Sequence, residues 1–218
     1  MIISHKHKFI YFKSMKVAGS SSEYFLENFC GKEDVVTPIT PIESQLHTPR
    51  NFENGLEYRH TPPQLLFQKL SFNQFQDYRM VCGSRNTWDR IVSSYCMHAK
   101  HSRNTDSFKK WLINESSKTI RWHPKDKRSK SKLPHFLYQF SLLNNCCIIT
   151  DWINQESLEK DLRTFCDSLG IDNKNINLLR AKHYNKKHYT EYYDDETREI
   201  VAEKYARDIE YFGYKFGG

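Results

Sequence analysis

Apolar residues along this chain fall into short runs that alternate with helical spacings. The first run, Phe9-Ile10-Tyr11-Phe12, is bounded by Lys8 and Lys13. Its β-formers read as a buried strand. The run breaks into Lys16-Val17-Ala18-Gly19-Ser20-Ser21-Ser22, and Glu23 to Phe29 then carries apolar residues at helical spacing. The stretch is therefore strand, small-residue loop, helix. A second strand is expected over 79–83, running straight into a helix that Asn86 or Thr87 caps and that reaches about residue 101. A third is expected over 146–149. Helices are expected over 64–70 with prolines near its start, 108–113, 134–143, 155–169 closed by Gly170, and 194–212 with acidic residues in its first turn. Residues 31–61 read as irregular, punctuated by Pro38, Pro41, Pro49 and Gly55. Strands alternating with helices give an α/β fold with a mostly parallel central sheet flanked by helices. No repeat or linker divides the 218 residues, so one domain is expected.

Composition adds two constraints. A hydrophobic content of 38% with 14% aromatic residues fits a folded chain, and the net charge of +7 invites an anionic partner. The six cysteines form no CxxC and no zinc spacing, and most lie in apolar runs. Buried free thiols and no metal are expected. No stretch approaches the length of a membrane span or signal peptide, which leads to an expectation of a soluble, cytoplasmic protein.

Candidate chemistry concentrates in two places. At a helix N-terminus the backbone N–H groups and the helix dipole favour an anion. In the first loop Gly19 permits close approach, Ser20, Ser21 and Ser22 add hydroxyls, and Lys16 adds positive charge. This is not a Walker A loop, since Lys16 precedes the only glycine. The second place is Arg85, directly after a strand, with Ser93 eight residues on. A planar guanidinium there suits a phosphate. Ligands of open α/β sheets bind at the carboxyl ends of strands, so residues 13–22 and 85–93 are expected to bracket one molecule with two anionic groups.

These residues resemble a known family, the sulfotransferases that use 3′-phosphoadenosine 5′-phosphosulfate (PAPS), in the branch that contains carbohydrate sulfotransferases. Lys16-Val17-Ala18-Gly19-Ser20-Ser21 is similar to that family's Lys-Thr-Ala-Gly-Thr-Ser loop for the 5′-phosphosulfate. Arg85-Asn86-Thr87-Trp88-Asp89-Arg90-Ile91-Val92-Ser93-Ser94-Tyr95 resembles its 3′-phosphate motif, with Thr87 in place of the usual proline. Residues 156–161 and the ending from Tyr192 to Tyr214 are also similar, so the likeness runs in order along nearly the whole chain.

The resemblance implies a P-loop-like three-layer sandwich and transfer of a sulfuryl group from PAPS to a hydroxyl or amine, leaving PAP, without a metal. It implies Lys16 at the leaving phosphate oxygen, the 17–22 amides and hydroxyls on the 5′-phosphate, and Arg85 and Ser93 on the 3′-phosphate. A basic turn with His183, Asn185, Lys186 and Lys187 lies where related proteins complete the cofactor site. His60 is the candidate base, since an imidazole with a reference pKa of about 6.5 suits proton removal near neutrality. Glu57 and Glu53 are reserves. Arg59, and Arg121 and His123 in the basic 116–132 stretch, are candidate acceptor contacts, the acceptor being a saccharide. Trp88 and Trp122 offer flat faces for adenine, but Trp88 lies so close to the motif that core packing is the expected use. Against this stand a nucleic-acid-binding protein using the basic face, a P-loop-like kinase, and a sulfotransferase-like protein that binds nucleotide without catalysis. No nucleic-acid-binding motif supports the first, and the position of Lys16 opposes the second.

Overall fold

The structure, a computed structural model, describes residues 1–38, 47–52, 60–102, 106–117, 147–179 and 187–218. The chain groups into two compact units. One takes in Met1–Ser84 with Phe140–His183, the other Arg85–Gln139 with Tyr184–Gly218.

The first unit is built on a sheet. Its strands are β1 (Ile2–Ser4), β2 (Phe9–Phe12), β3 (Val35–Val36), β4 (Arg79–Ser84) and β5 (Asp151–Asn154), in the order β3-β1-β2-β4-β5. β2, β4 and β5 run parallel, while β1 is antiparallel to both its neighbours. The α/β class read from the sequence is therefore the one observed, with an antiparallel edge added. Every residue of β2 is buried, which is why its run is continuously apolar rather than alternating. On one side Phe9 and Tyr11 join Ile2, Val81 and Ile153 in a core with Phe25 and Leu26 of α1 (Gly19–Glu27) and Leu162, Phe165 and Cys166 of α5 (Leu158–Ser168).

Polar side chains fix the edges of this unit. The Asp34 carboxylate accepts from the Ser4 hydroxyl at 2.8 Å and from the N–H groups of His5, Lys6 and Gly31 at 2.7, 3.1 and 2.8 Å. Burial raises its pKa, but these donors outweigh burial and hold the carboxyl below its usual value. Between β4 and β5, Arg79 forms an ion pair with Asp151.

The third strand lies a few residues beyond its expected place. The apolar run at 147–149 precedes the paired segment, which is Asp151–Asn154. Register explains the shift. The Met80 N–H donates to the Thr150 hydroxyl at 2.9 Å, the Thr150 N–H donates to the Met80 carbonyl at 2.8 Å, and the Arg79–Asp151 pair follows. The expected helix over 134–143 lies outside the described residues.

The second unit is helical: α3 (Thr87–Ser102), α4 (Phe108–Ser117), α6 (Asp195–Lys204) and α7 (Ala206–Phe212). Its core joins Trp88, Ile91 and Val92 to Phe108, Trp111, Leu112, Val201 and Tyr205. The single helix expected over 194–212 is broken at Tyr205, whose backbone leaves the helical region. Tertiary contacts account for the break. The Arg90 guanidinium lies 5.1 Å above the Tyr205 ring and pairs with the buried Asp208 at 3.5 Å.

The described cysteines, Cys30, Cys82, Cys96, Cys147 and Cys166, are all free thiols. Burial pushes Cys30 and Cys166 up to about 12, so neither is a ready nucleophile. No described helix is long and apolar enough to cross a membrane.

Candidate active site

The loop between β2 and α1 is the most unusual backbone in the first unit. Lys16 and Ala18 both adopt positive φ, at 67° and 59°. For residues with a Cβ this conformation costs of order 1–3 kcal/mol each, and such strain gathers at functional loops. Left-handed residues set among right-handed ones turn successive N–H groups into an anion-binding concavity. Ala18 is the residue from which α1 starts, and no side chain caps that end.

Two glycines let this loop pack tightly. A Cβ on Gly19 would sit 2.8 Å from Cγ of Lys13 and 3.3 Å from the Ser14 carbonyl oxygen. A Cβ on Gly83 of β4 would sit 2.8 Å from both Cγ2 and the carbonyl oxygen of Val17. Gly83 is thus the floor against which the loop rests. Gly83→Ala is expected to destabilise the protein by about 1–3 kcal/mol through overpacking and to displace Val17. Denaturant midpoints with and without an anionic ligand check this, because a displaced loop loses ligand stabilisation as well as intrinsic stability.

The serines divide. Ser22 is fully buried, and its hydroxyl bonds the Ala18 carbonyl at 3.4 Å within α1. Ser21 is also buried, while Ser20 is half-exposed at the mouth of the helix. Ser20 is therefore the hydroxyl best placed to meet a ligand. Lys16 is half-exposed and Val17 is buried.

His60 precedes α2 (Pro63–Lys69), in which Pro63 occupies the first turn. Although 47 residues separate them, His60 Nδ1 lies 3.0 Å from the carbonyl oxygen of Lys13. The first unit therefore brings the candidate base to the loop that carries Lys16. Since a carbonyl only accepts, Nδ1 carries the hydrogen, and in the neutral ring Nε2 is the basic nitrogen.

Behind the loop lies a charge pair that sequence reasoning passed over. Lys13 Nζ meets Glu23 Oε2 at 2.5 Å, with side chains 5% and 0% exposed. The Met1 amino group also pairs with Glu23. Burial raises the Glu23 pKa, but these two cations outweigh it and hold the carboxyl below its usual value. The signal was a glutamate on the same short helix stretch as Tyr24, Phe25 and Leu26, where a lone charge has no reason to be.

In the second unit Asn86 caps α3, its side-chain oxygen accepting from the Trp88 N–H at 3.1 Å. That cap orders a helix start at which Thr87 stands where the resembled motif has proline. Arg85 donates from Nε and one Nη to Asp89 Oδ2, at 2.8 and 2.7 Å. Asp89 is thus the residue that aims the guanidinium, also missed from sequence. Ser93 is buried farther along α3. Trp88 is 5% exposed, donates to the Arg198 carbonyl at 3.2 Å, and packs edge-on to Phe216. It serves the core. Lys187 is exposed. Arg59, Glu53, Glu57, Arg121, Trp122, His123, His183, Asn185 and Lys186 lie outside the described residues. Among the described residues no group of His, Cys, Asp or Glu is placed to hold a metal.

No protein-family model matches the chain, and no curated protein matches it. Among solved structures it is similar to the crystal structure of a sulfotransferase from Alicyclobacillus acidocaldarius, at 15% identity. That likeness covers 93% of this chain and 92% of the other, with a TM-score of 0.49.

Proposed function

We propose that this chain is a PAPS-dependent sulfotransferase that moves the sulfuryl group to a hydroxyl, or an amine, of a carbohydrate acceptor. The observation that carries the reading is the strained loop at Lys16 and Ala18, opening α1, with His60 tied to Lys13 at its base. The loop suits an anion on three independent grounds: left-handed backbone, a helix N-terminus without a side-chain cap, and a half-exposed lysine. The 3′-phosphate assignment to Arg85 and Ser93, and the carbohydrate acceptor, rest on the sequence resemblance.

PAPS supplies an activated sulfuryl group on a phosphate leaving group. The chain's own residues do the rest. The 17–21 N–H groups and the Ser20 hydroxyl would hold the 5′-phosphate, while the Ser22 N–H donates to the Ala18 carbonyl at 3.1 Å. Neutral His60 takes the acceptor proton at Nε2 as the acceptor oxygen bonds to sulfur. The sulfur–oxygen bond to the phosphate breaks, and Lys16 offsets the charge that develops on the departing oxygen. Charge stabilisation and positioning, rather than covalent chemistry on the protein, supply the rate.

The test is transfer of isotopically labelled sulfate from PAPS to a panel of oligosaccharides, small phenols and amines. Label on a saccharide is the expected result. Tight PAP binding with no transfer to any acceptor class would favour a nucleotide-binding protein without catalysis.

A further inference from the structure

We propose that Lys13, pinned by Glu23, is the positioning residue for the base: its carbonyl holds His60 with Nδ1 protonated and Nε2 presented to the acceptor. The proposal rests on the reading of His60 as base in sulfuryl transfer and names the device that prepares it.

Lys13 follows directly on β2, and both of its ends are fixed. Its stem passes under the first residue of α1, where a Gly19 Cβ would lie 2.8 Å from Lys13 Cγ. Its ammonium meets Glu23 at 2.5 Å in a site from which water is nearly excluded. A lysine does not turn inward at a strand end without a partner, because an unpaired buried ammonium is costly. Glu23 is that partner, and it stands on α1 itself. The Lys13 carbonyl, in turn, is the group that His60 Nδ1 meets at 3.0 Å. The helix whose N-terminus faces the anion is thus joined through Glu23 and Lys13 to the ring that takes the proton. Backbone, ion pair and imidazole form one linked unit, with Lys16 three residues farther along.

A positioned base must be in one tautomer. Free neutral histidine in water favours hydrogen on Nε2, the wrong nitrogen for this geometry. The Lys13 carbonyl reverses that preference only while its own orientation is held.

Long-range proton–nitrogen NMR of the full chain at a pH where His60 is neutral reads the tautomer without donor or acceptor. The His60 signals are assigned by their loss in His60→Asn. The wild type is expected to show hydrogen on Nδ1. In Glu23→Gln, and in Lys13→Met, which removes the Lys13 charge at nearly constant volume and leaves Glu23 paired with the Met1 amino group, the ring is expected to move toward the Nε2–H form. Lys13→Met keeps the test open if Glu23→Gln does not fold, since Glu23 then retains a cationic partner in the Met1 amino group. In parallel, kcat for sulfuryl transfer falls about 10- to 100-fold while KM for PAPS changes far less. An Nε2–H ring in the wild type, or an unchanged Nδ1–H ring in the folded variants, overturns the proposal. An Nδ1–H ring in the wild type that shifts in the variants, with no sulfate transfer by the wild type, strikes the transfer reading and leaves the link from Lys13 to His60 standing.

Discussion

Lys16→Ala is expected to reduce sulfuryl transfer by about 10²- to 10³-fold in kcat while PAP binding weakens only modestly. The magnitude is that of removing one preorganised group from the position where charge develops in a transition state. Lys16 stands at φ 67°, half-exposed, two residues before the one from which α1 starts. Alanine tolerates that backbone about as well as lysine, so the loop keeps its shape and the amides keep their hold on the 5′-phosphate. The loss then appears in kcat and not in ground-state affinity. Single-turnover kinetics with PAPS, beside calorimetric PAP affinity, separate the two. Unchanged kcat would remove the leaving-group role from Lys16.

Arg85→Ala is expected to weaken PAP binding about 10- to 100-fold, the worth of charge-assisted bonds to one phosphate. Two of its N–H groups donate to Asp89, so under the proposed assignment the guanidinium would meet the 3′-phosphate with its geometry already set. Asp89→Asn is expected to have the same sign and a smaller size, since it loosens the arginine without removing it. Adenosine 5′-phosphate, which lacks the 3′-phosphate, is the control ligand, and its affinity should be nearly the same for wild type and Arg85→Ala. Equal weakening of both ligands would mean that Arg85 acts on the fold and not on the 3′-phosphate.

What the sequence shows of this fold follows from how local each signal is. β2 and β4 announce themselves because buried parallel strands are continuously apolar, and α1 and α3 follow loops with evident breaks. β5 is set instead by Arg79, Thr150 and Asp151, contacts between segments about 70 residues apart, so the apolar run beside it draws attention to the wrong residues. β1 and β3, of three and two residues, are too short to carry a period. The break at Tyr205 has no proline or glycine to mark it. It comes from Arg90 on another helix, which takes both the Tyr205 ring and Asp208.

The candidate site divides in the same way. Lys16 and the small residues after it are visible as a string, and Arg85 stands out because it follows a strand. His60 stands out by its place between the two motifs and by its chemistry, and the structure sets it against the Lys13 carbonyl. Lys13, Glu23 and Asp89 carry no such signal, because what each touches is another side chain or the backbone brought near by the fold. A charge that only holds a neighbour in place has no pattern of its own until the fold supplies the neighbour.

The most direct measurement of the central claim is calorimetric titration of the full chain with PAP, with ATP and a random-sequence oligonucleotide as controls. PAP is expected to bind much more tightly than ATP, with that binding lost or greatly weakened in Arg85→Ala. No binding of PAP, with salt-dependent binding of the oligonucleotide in its place, would contradict that claim and make the basic surface the working part of the molecule.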